Sequence, residues 1–537
     1  MGNISQKDIE LIESHLKDSD TPFEQKIRNE YNFLKNYKPY QINENDKKEG
    51  QKIEISKGII NPIRVKKRLE RFAKWFKMVF NSENEIFIEK KLSKCKSFPD
   101  DNIYKSILSP KNSNKTENNV KKIRTNHEES ILNYSLITSS PNIFELSLRR
   151  YYQINKLHFL QRVRKGPPDS LRWISWMIIT NIPEYRNELL YKKYLLMDVE
   201  QKSDNQIKKD LNRTVNENNI IELKRTKSER EEKENNLYRV LRVMANIDKD
   251  CGYCQGINFI TGFLLEMNDY NELETFYMLI SLFSKNFDTN FNIRGFYIDN
   301  FPLLSCYLYI FDHILEKENP EFQKFITKLE ISHEAWIGKW IQTLYTVCFP
   351  PYLNYRVWDN ILSTGLYFII SFSISLINHI SKDLMNLEDA FDFFEYIKKF
   401  FTISYGDGTP TGSILYKIKD NNKYIILEDI LDHAQKLHKS YCSKNLFLNL
   451  QDEYTLKNSI SSYAILYDID FFSNNNSGNL NYHITKNGFS TSFSSYLKSN
   501  SIKEDEENAN DECDEEKDNY NFINYNYAFE TKKNINK

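Results

Sequence analysis

Two polar segments, separated by roughly forty residues, carry side chains suited to phosphoryl chemistry. The first reads Ile207-Lys208-Lys209-Asp210-Leu211-Asn212-Arg213-Thr214 and the second Gly252-Tyr253-Cys254-Gln255-Gly256-Ile257-Asn258. Arginine presents a permanently charged, planar fork of hydrogen-bond donors, whereas glutamine can accept from a water while it donates to an anion. Arg213 and Gln255 together could therefore polarise a phosphoryl group and hold the water that attacks it.

The local pattern around each residue allows a functional and an ordinary structural interpretation. In a helix over 207–214, Asp210 and Arg213 share a face at spacing i, i+3, so the carboxylate can hold the guanidinium. An exposed Asp/Arg pair is also a common surface feature of small energetic consequence. Gln255 lies in a glycine-bounded turn, where its side chain can project outward or bond to its own turn. Each motif alone leaves both alternatives open.

In order and spacing, the two motifs resemble the signature of TBC domains, the GTPase-activating domains that act on Rab GTPases. The pattern IxxDxxR ends at Arg213, and the pattern YxQ ends at Gln255. Further blocks similar to those of the family follow the family's order: 164–176, with Pro167 in place of the usual isoleucine, 340–344, 349–351 and 356–359. The resemblance spans residues 145 to 445.

The resemblance implies roles for particular residues. Arg213 and Gln255 would be catalytic fingers that enter the nucleotide site of a Rab-family GTPase and stimulate its hydrolysis of GTP. Supporting roles beside the fingers are implied for Asp210, Tyr253, Thr214 and Asn258. Residues that support the fold or bind the partner are implied at Arg172, Trp176, Trp340, Arg356, Trp358 and Asp359.

The same resemblance bears on cofactors and on the class of activity. Because the chain has no Walker-type phosphate loop, GTP and Mg²⁺ would belong to the partner, and we expect neither a metal site nor a cofactor here. The protein would accelerate its partner's reaction without independent catalysis. Two other classes stay open: a non-catalytic TBC scaffold that binds a Rab, and a membrane-docking adaptor in vesicle trafficking.

The chain departs from the family pattern after Thr214. There the family usually has a proline and a short apolar stretch, whereas this chain reads Val215-Asn216-Glu217-Asn218-Asn219. A charged segment at 222–236 follows. Because this segment has many charges and no apolar stripe, we expect an exposed loop between two helices.

The spacing of apolar residues predicts an all-α array of short and medium helices, flanked by low-complexity segments. Apolar stripes at 237–247 and 257–265 predict two helices on either side of the Gln255 loop. The longest apolar stretch, 365–377, is shorter than the roughly 20 residues needed to span a bilayer. We therefore expect it to form a core helix.

Composition divides the chain into three regions. Residues 1–144 are expected to be largely weakly ordered, because residues 1 to about 60 are polar and lack a sustained apolar face. A basic amphipathic helix near 63–80 suits an anionic membrane surface, calmodulin or packing against the next region. That region, 145–445, is the TBC-like domain. Residues 446–537 would be a C-terminal extension, partly helical, then acidic, Asn-rich and disordered.

Charge and cysteine content limit the partners and the compartment. A formal net charge of −1 gives no argument for binding nucleic acid. Seven scattered cysteines and the lack of an apolar leader indicate a reducing, cytoplasmic location, with peripheral attachment to endomembranes as a further option. Cys251 and Cys254 form a C-x-x-C pattern, but neither a βαβ pattern nor a second Cys or His pair lies nearby, which disfavours redox and zinc sites.

Overall fold

A computed structural model describes residues 5–16, 21–36, 62–80, 143–182, 188–217, 227–284, 292–349, 351–402, 414–417 and 424–458. Three helices precede the main body: α1 (Gln6–Leu16), α2 (Pro22–Asn36) and α3 (Pro62–Val79). The first half of the main body contains α4 (Ile143–Ile154), α5 (Lys156–Arg164), α6 (Asp169–Ile179), α7 (Glu188–Leu196), α8 (Gln201–Glu217), α9 (Lys227–Ile247), α10 (Ile257–Met267) and α11 (Glu272–Phe283).

The second half of the main body continues as a helical array. Its helices are α12 (Pro302–Glu318), α13 (Pro320–Lys328), α14 (Lys339–Gln342), α15 (Pro351–Thr364), α16 (Phe368–Leu384), α17 (Ala390–Thr402), α18 (Leu427–Ser443) and α19 (Leu446–Lys457). A 3-10 turn at Arg294–Phe296 precedes α12, and a π-helical turn at Glu334–Gly338 precedes α14. Strands β1 (Ile414–Lys417) and β2 (Tyr424–Ile426) form an antiparallel hairpin. The prediction of an all-α fold is confirmed, and in the described ranges this hairpin is the exception.

The stretch predicted as a core helix, 365–377, leads into α16, which is buried along most of its length. Its serines are satisfied by hydrogen bonds. Ser373 Oγ donates to the carbonyl oxygen of Ile369 (2.7 Å), and Ser375 Oγ donates to that of Ile430 (2.8 Å). Because these hydroxyls have partners, they are tolerated in an apolar interior. No helix in the described ranges is both long and apolar enough to cross a membrane.

The N-terminal region is more ordered than its composition predicts. α1 buries Ile12 and α2 buries Ile27, and both helices pack against α3, which buries Phe72 and Phe76. Weak order was therefore the wrong expectation for residues 6–16 and 22–36; residues 37–61 and 81–142 lie outside the described residues. Short polar helices gain most of their stability from tertiary packing, which composition alone does not reveal.

A polar contact joins α2 to the start of α6. The Glu30 carboxylate accepts hydrogen bonds from the backbone N–H groups of Asp169 (3.1 Å) and Ser170 (2.9 Å) and from the Ser170 hydroxyl (2.7 Å). Arg68 of α3 lies 2.7 Å from the Asp169 carboxylate. α6 begins after Pro168, which has no side-chain acceptor. Glu30 therefore supplies the cap that the first N–H groups of α6 require.

The prediction of a loop at 222–236 is wrong for most of that segment. Residues 227–236 form the first turns of α9, and residues 222–226 lie outside the described residues. The side chains from 228 to 232 are exposed, as expected for a charged segment. Glutamate, lysine and arginine are good helix formers, so this segment extends the helix whose apolar stripe begins at Leu237.

One network of buried charges is centred on Asp359. Its carboxylate accepts hydrogen bonds from Arg356 Nη1 (2.8 Å), Arg172 Nε (3.2 Å) and Trp176 Nε1 (2.9 Å). Arg356 also donates to Glu428 at 2.8 and 3.0 Å. Burial raises the pKa of the Asp359 carboxyl, and the two guanidinium groups oppose that rise. The network connects α6 and α15 through charges that water does not reach, and Arg356 extends it to the partly exposed Glu428 of α18.

We expect Asp359→Ala to lower the free energy of unfolding by about 3–5 kcal/mol, because it leaves two buried guanidinium groups without their carboxylate. Glu428→Ala is the matched control, since Glu428 pairs with the same Arg356 from a side chain that is 31% exposed. Its loss should be near 1 kcal/mol, because water can replace part of that contact. Chemical denaturation measures both. Equal losses in the two variants would contradict the central role of Asp359.

We also expect Glu30→Ala to lower the free energy of unfolding by about 1–3 kcal/mol, because the N–H groups at the start of α6 lose their acceptor. Asn29→Ala, at an exposed neighbouring position on α2, should change stability by less than about 0.5 kcal/mol. Denaturation of the full chain followed by circular dichroism compares them. An unchanged midpoint for Glu30→Ala would show that α6 is capped without α2.

Candidate functional site

α8 places two polar residues of the first motif on its buried side. Ile207, Asp210 and Thr214 lie at helical spacing on the face that packs against the domain and expose at most 5% of their surface. Buried polar groups need hydrogen-bond partners, so Asp210 and Thr214 must find them in a neighbouring element. Arg213 belongs to the same turn of α8, and its side chain lies outside the described part of the structure.

The loop between α9 and α10 presents Gln255 to solvent. At the start of the loop, the Asp248 carboxylate accepts from the Cys251 N–H (3.1 Å) and pairs with Arg294 at 2.6 and 2.8 Å. At its end, Gly256 adopts a φ of 116°, a conformation that strains residues with a side chain. The loop is therefore fixed at both ends while Gln255 stays accessible.

Two side-chain hydrogen bonds join this loop to α8. Tyr253 Oη donates to Asp210 Oδ2 at 2.9 Å, and Asn258 Nδ2 donates to Thr214 Oγ1 at 2.6 Å. The Thr214 hydroxyl in turn donates to the carbonyl oxygen of Asp210 at 2.7 Å. Between them, these bonds hold the α8 turn that contains Arg213 beside the loop that contains Gln255.

These contacts give the supporting residues definite positions. Tyr253 braces the loop against α8 through Asp210, and Asn258 bonds inside the domain to Thr214. Asp210 is held from the loop side by the tyrosine hydroxyl. Its pairing with the guanidinium of Arg213 stays a prediction.

The other predicted residues lie inside the domain. Arg172, Trp176, Arg356 and Asp359 belong to the buried network described above. Trp340 and Trp358 expose 3% and 0% of their surface, and Trp358 Nε1 donates to the carbonyl oxygen of Leu344 at 3.1 Å. Every one of these side chains has packing or hydrogen-bond contacts within the domain.

Four residues that border the Gln255 loop were not predicted from the sequence: Asp248, Arg294, Tyr297 and Gln342. Asp248 offers one usable signal, an acidic residue at the end of an apolar stripe immediately before the loop. Arg294 and Tyr297 come from a distant segment without a recognisable motif, and the block 340–344 gives no sign that Gln342 reaches the loop. Their proximity to the loop depends on how the helices pack.

The two cysteines of the C-x-x-C pattern are poorly suited to thiolate chemistry. Burial raises the pKa of the Cys254 thiol to about 11 and raises that of Cys251 further. Both thiols are thus protonated at neutral pH, whereas reactive and metal-binding cysteines are thiolates. Among the described residues, no cluster of His, Cys, Asp and Glu side chains could hold a metal ion.

Sequence comparison finds a match to a known domain family over this site. Residues 169–385 match the family model described as the Rab-GTPase-TBC domain. The GTPase-activating protein GYP5 of Saccharomyces cerevisiae is 29% identical over 233 residues, 43% of this chain and 24% of that protein. The Rab GTPase-activating protein eat-17 of Caenorhabditis elegans is 25% identical over 226 residues, 42% of this chain and 24% of that protein.

The matched region thus covers about a quarter of the length of these two relatives. Among solved structures, the Ypt/Rab-GAP domain of GYP1P aligns with a TM-score of 0.41 and 21% identity, over 54% of this chain and 94% of that one. The family model includes both motifs, from α8 to the Gln255 loop. The resemblance to TBC domains that the two motifs indicate is thereby confirmed over residues 169–385.

Proposed function

We propose that this chain stimulates GTP hydrolysis by a Rab-type small GTPase, with Arg213 and Gln255 acting in trans. The observation that carries the proposal is the hydrogen-bonded bridge between α8 and the loop. Asp210 and Thr214, on the Arg213 turn, bond directly to Tyr253 and Asn258 of the loop. An exposed glutamine and an arginine-bearing turn are thereby presented as one unit.

The chemistry of this unit is positioning and electrostatics. Arg213 enters the nucleotide site of the partner and neutralises charge that develops on the γ-phosphate, while Gln255 orients the attacking water. GTP and Mg²⁺ are supplied by the partner, so the chain needs no nucleotide site of its own. A fixed geometry matters because both groups must act on the same phosphoryl group at once.

A non-catalytic TBC scaffold is the second candidate. It would bind a Rab without accelerating hydrolysis, and it would need neither finger. The presence of both finger residues, at the ends of connected elements, favours the catalytic candidate. A hydrolysis screen of the full chain against a panel of Rab GTPases separates the two, because a scaffold binds without stimulation.

Membrane docking through α3 is a weaker candidate. The apolar side of α3 is buried against α1, α2 and α4, with Trp75 and Phe76 each 1% exposed. The exposed residues Lys66, Lys67 and Lys74 leave only an electrostatic route to an anionic surface. Peripheral contact with endomembranes would accordingly be weak and sensitive to salt.

We expect Arg213→Ala to lower stimulated hydrolysis by about three to five orders of magnitude, the range typical of arginine fingers. Arg213→Lys should not restore it, because a point charge cannot reproduce the planar fork. Arg162→Lys, on α5, is the matched control and should keep the wild-type rate. Near-normal stimulation by a folded Arg213→Lys protein would contradict the finger assignment.

The source of the water-orienting glutamine can be tested separately. If Gln255 supplies that group, a Rab whose own switch glutamine is changed to alanine should still be stimulated by the wild-type chain. Gln255→Ala should fail even with an intact Rab. Single-turnover GTP hydrolysis measures both combinations. The reverse pattern would mean that the Rab supplies its own glutamine and that only the arginine half of the mechanism holds.

A further inference from the structure

The residue that follows Gln255 rests directly on two side chains from distant segments. A Cβ atom added to Gly256 would lie 3.2 Å from Tyr297 Cε1 and 3.6 Å from Gln342 Cδ. Because the φ of Gly256 is also 116°, a side chain at this position would crowd the Tyr297 ring and strain the backbone. The backbone that carries Gln255 therefore has a defined surface beneath it.

Tyr297 forms the first half of that surface. It follows the 3-10 turn at 294–296, is 3% exposed and stacks on Phe283 with ring centroids 5.4 Å apart. Its carbonyl oxygen accepts a contact from Cys251 Sγ at 3.7 Å, while its ring lies under Gly256. Tyr297 thus contacts the loop near its start and at its end.

Gln342, at the end of α14, forms the second half. Its side-chain Nε2 donates to the carbonyl oxygen of Phe296 at 3.0 Å, and its backbone carbonyl oxygen accepts from Tyr297 Oη at 2.5 Å. Two hydrogen bonds in opposite directions therefore connect Gln342 to the 296–297 segment. We name this pair of bonds, together with the ring of Tyr297, the loop clamp.

We propose that Gln342 is a positioning residue for Gln255, acting through the loop clamp, an inference that rests on the proposed function. Gly256 has no side chain with which to anchor the loop. The orientation of the adjacent Gln255 side chain therefore depends on the surface against which Gly256 packs. The Gln342 carboxamide fixes that surface by donating to the carbonyl oxygen of Phe296, while the backbone carbonyl oxygen of Gln342 accepts from Tyr297 Oη. Without the carboxamide, only one bond of the pair, from Tyr297 Oη to the Gln342 backbone, connects α14 to the 296–297 segment, so the surface beneath Gly256 can move and the loop can shift.

The clamp is independent of the bridge to α8. The bridge joins the side chains of Tyr253 and Asn258 to α8, which precedes the loop in the sequence. The clamp instead supports the backbone at Gly256 and is formed by residues that follow the loop. Loss of the clamp should leave the bridge in place. The expected result is a folded domain in which Gln255 is displaced. A shift near 1 Å at a reacting group can reduce a rate by roughly a hundredfold.

The test compares Gln342→Met, which keeps the side-chain volume and removes the carboxamide, with Tyr297→Phe, which removes one hydroxyl. Each should lower the stimulated single-turnover rate roughly ten- to a hundredfold without changing the Rab concentration that gives half-maximal rate. Gln435→Met is the matched control, because Gln435 makes equivalent hydrogen bonds to Asn360 and Thr364 (3.0 Å each) between α18 and α15. It should keep the wild-type rate.

A double variant distinguishes positioning from general structure. If Gln342 acts only through Gln255, then Gln255→Ala combined with Gln342→Met should be no slower than Gln255→Ala alone. Multiplied losses, or a wild-type rate for folded Gln342→Met, would overturn the proposal. Should Gln342→Met fail to fold by near-UV circular dichroism, Tyr297→Phe, which removes the other bond of the loop clamp, is combined with Gln255→Ala in its place, and the same result is expected.

Hydrogen exchange gives a readout that does not depend on activity. The Gly256 N–H donates to Asn258 Oδ1 at 2.9 Å, so its exchange reports opening of the loop. Exchange in a peptide covering 251–258 should accelerate in Gln342→Met and not in Gln435→Met. Unchanged exchange in Gln342→Met would reject the clamp, even if the wild-type chain stimulated no Rab. If exchange in Gln342→Met is accelerated but the wild-type chain stimulates no Rab, only the proposed function is rejected.

Discussion

The fold depends on the requirement that a carboxylate withdrawn from water must be paired. Asp359 is fully buried, and it is tolerated because two guanidinium groups and an indole N–H converge on it. Meeting that requirement fixes α6 against α15, and Arg356 extends the constraint to α18 through Glu428. Apolar packing alone would allow these helices to slide, whereas directional bonds to one carboxylate fix their register.

Polar contacts also connect α6 to the N-terminal helices. Asp169 lies at the start of α6, contacts Arg172 and pairs with Arg68 of α3, and its backbone N–H is bound by Glu30 of α2. The family model begins at this residue. A boundary drawn from sequence similarity thus falls on a residue whose hydrogen bonds lead back into α2 and α3, so these helices complete the domain physically.

The candidate site uses polar bonds in a different way. α8 buries Asp210 and Thr214, which would be unfavourable without partners, and the loop supplies a tyrosine hydroxyl and a carboxamide. Burial of these groups is therefore linked to correct docking of the loop. Gln255 remains exposed because neighbouring residues make the contacts that hold the loop. Tyr253 is bonded to α8, and Gly256 lies on Tyr297 and Gln342.

The sequence by itself determined the helical class, the two motifs and the order of their surrounding blocks. These features follow from local spacing and side-chain chemistry, as with the apolar stripe from Leu237 to Ile247 that lies in α9. The charged segment before that stripe was misread, because an absent apolar face does not prevent good helix formers from extending a helix. Likewise, the sparse apolar residues of α1 and α2 gave no sign of their packing.

Only the tertiary structure decided which residues support the glutamine loop. Tyr297 and Gln342 lie more than forty positions from Gln255 in the sequence; Tyr297 belongs to no motif, and the block 340–344 gives no sign that Gln342 reaches the loop. Their contacts exist because α14 and the 294–296 turn pack beside the loop. Such contacts depend on the packing angles between whole helices. These angles result from many weak interactions along the chain, so they cannot be predicted from a local pattern of residues.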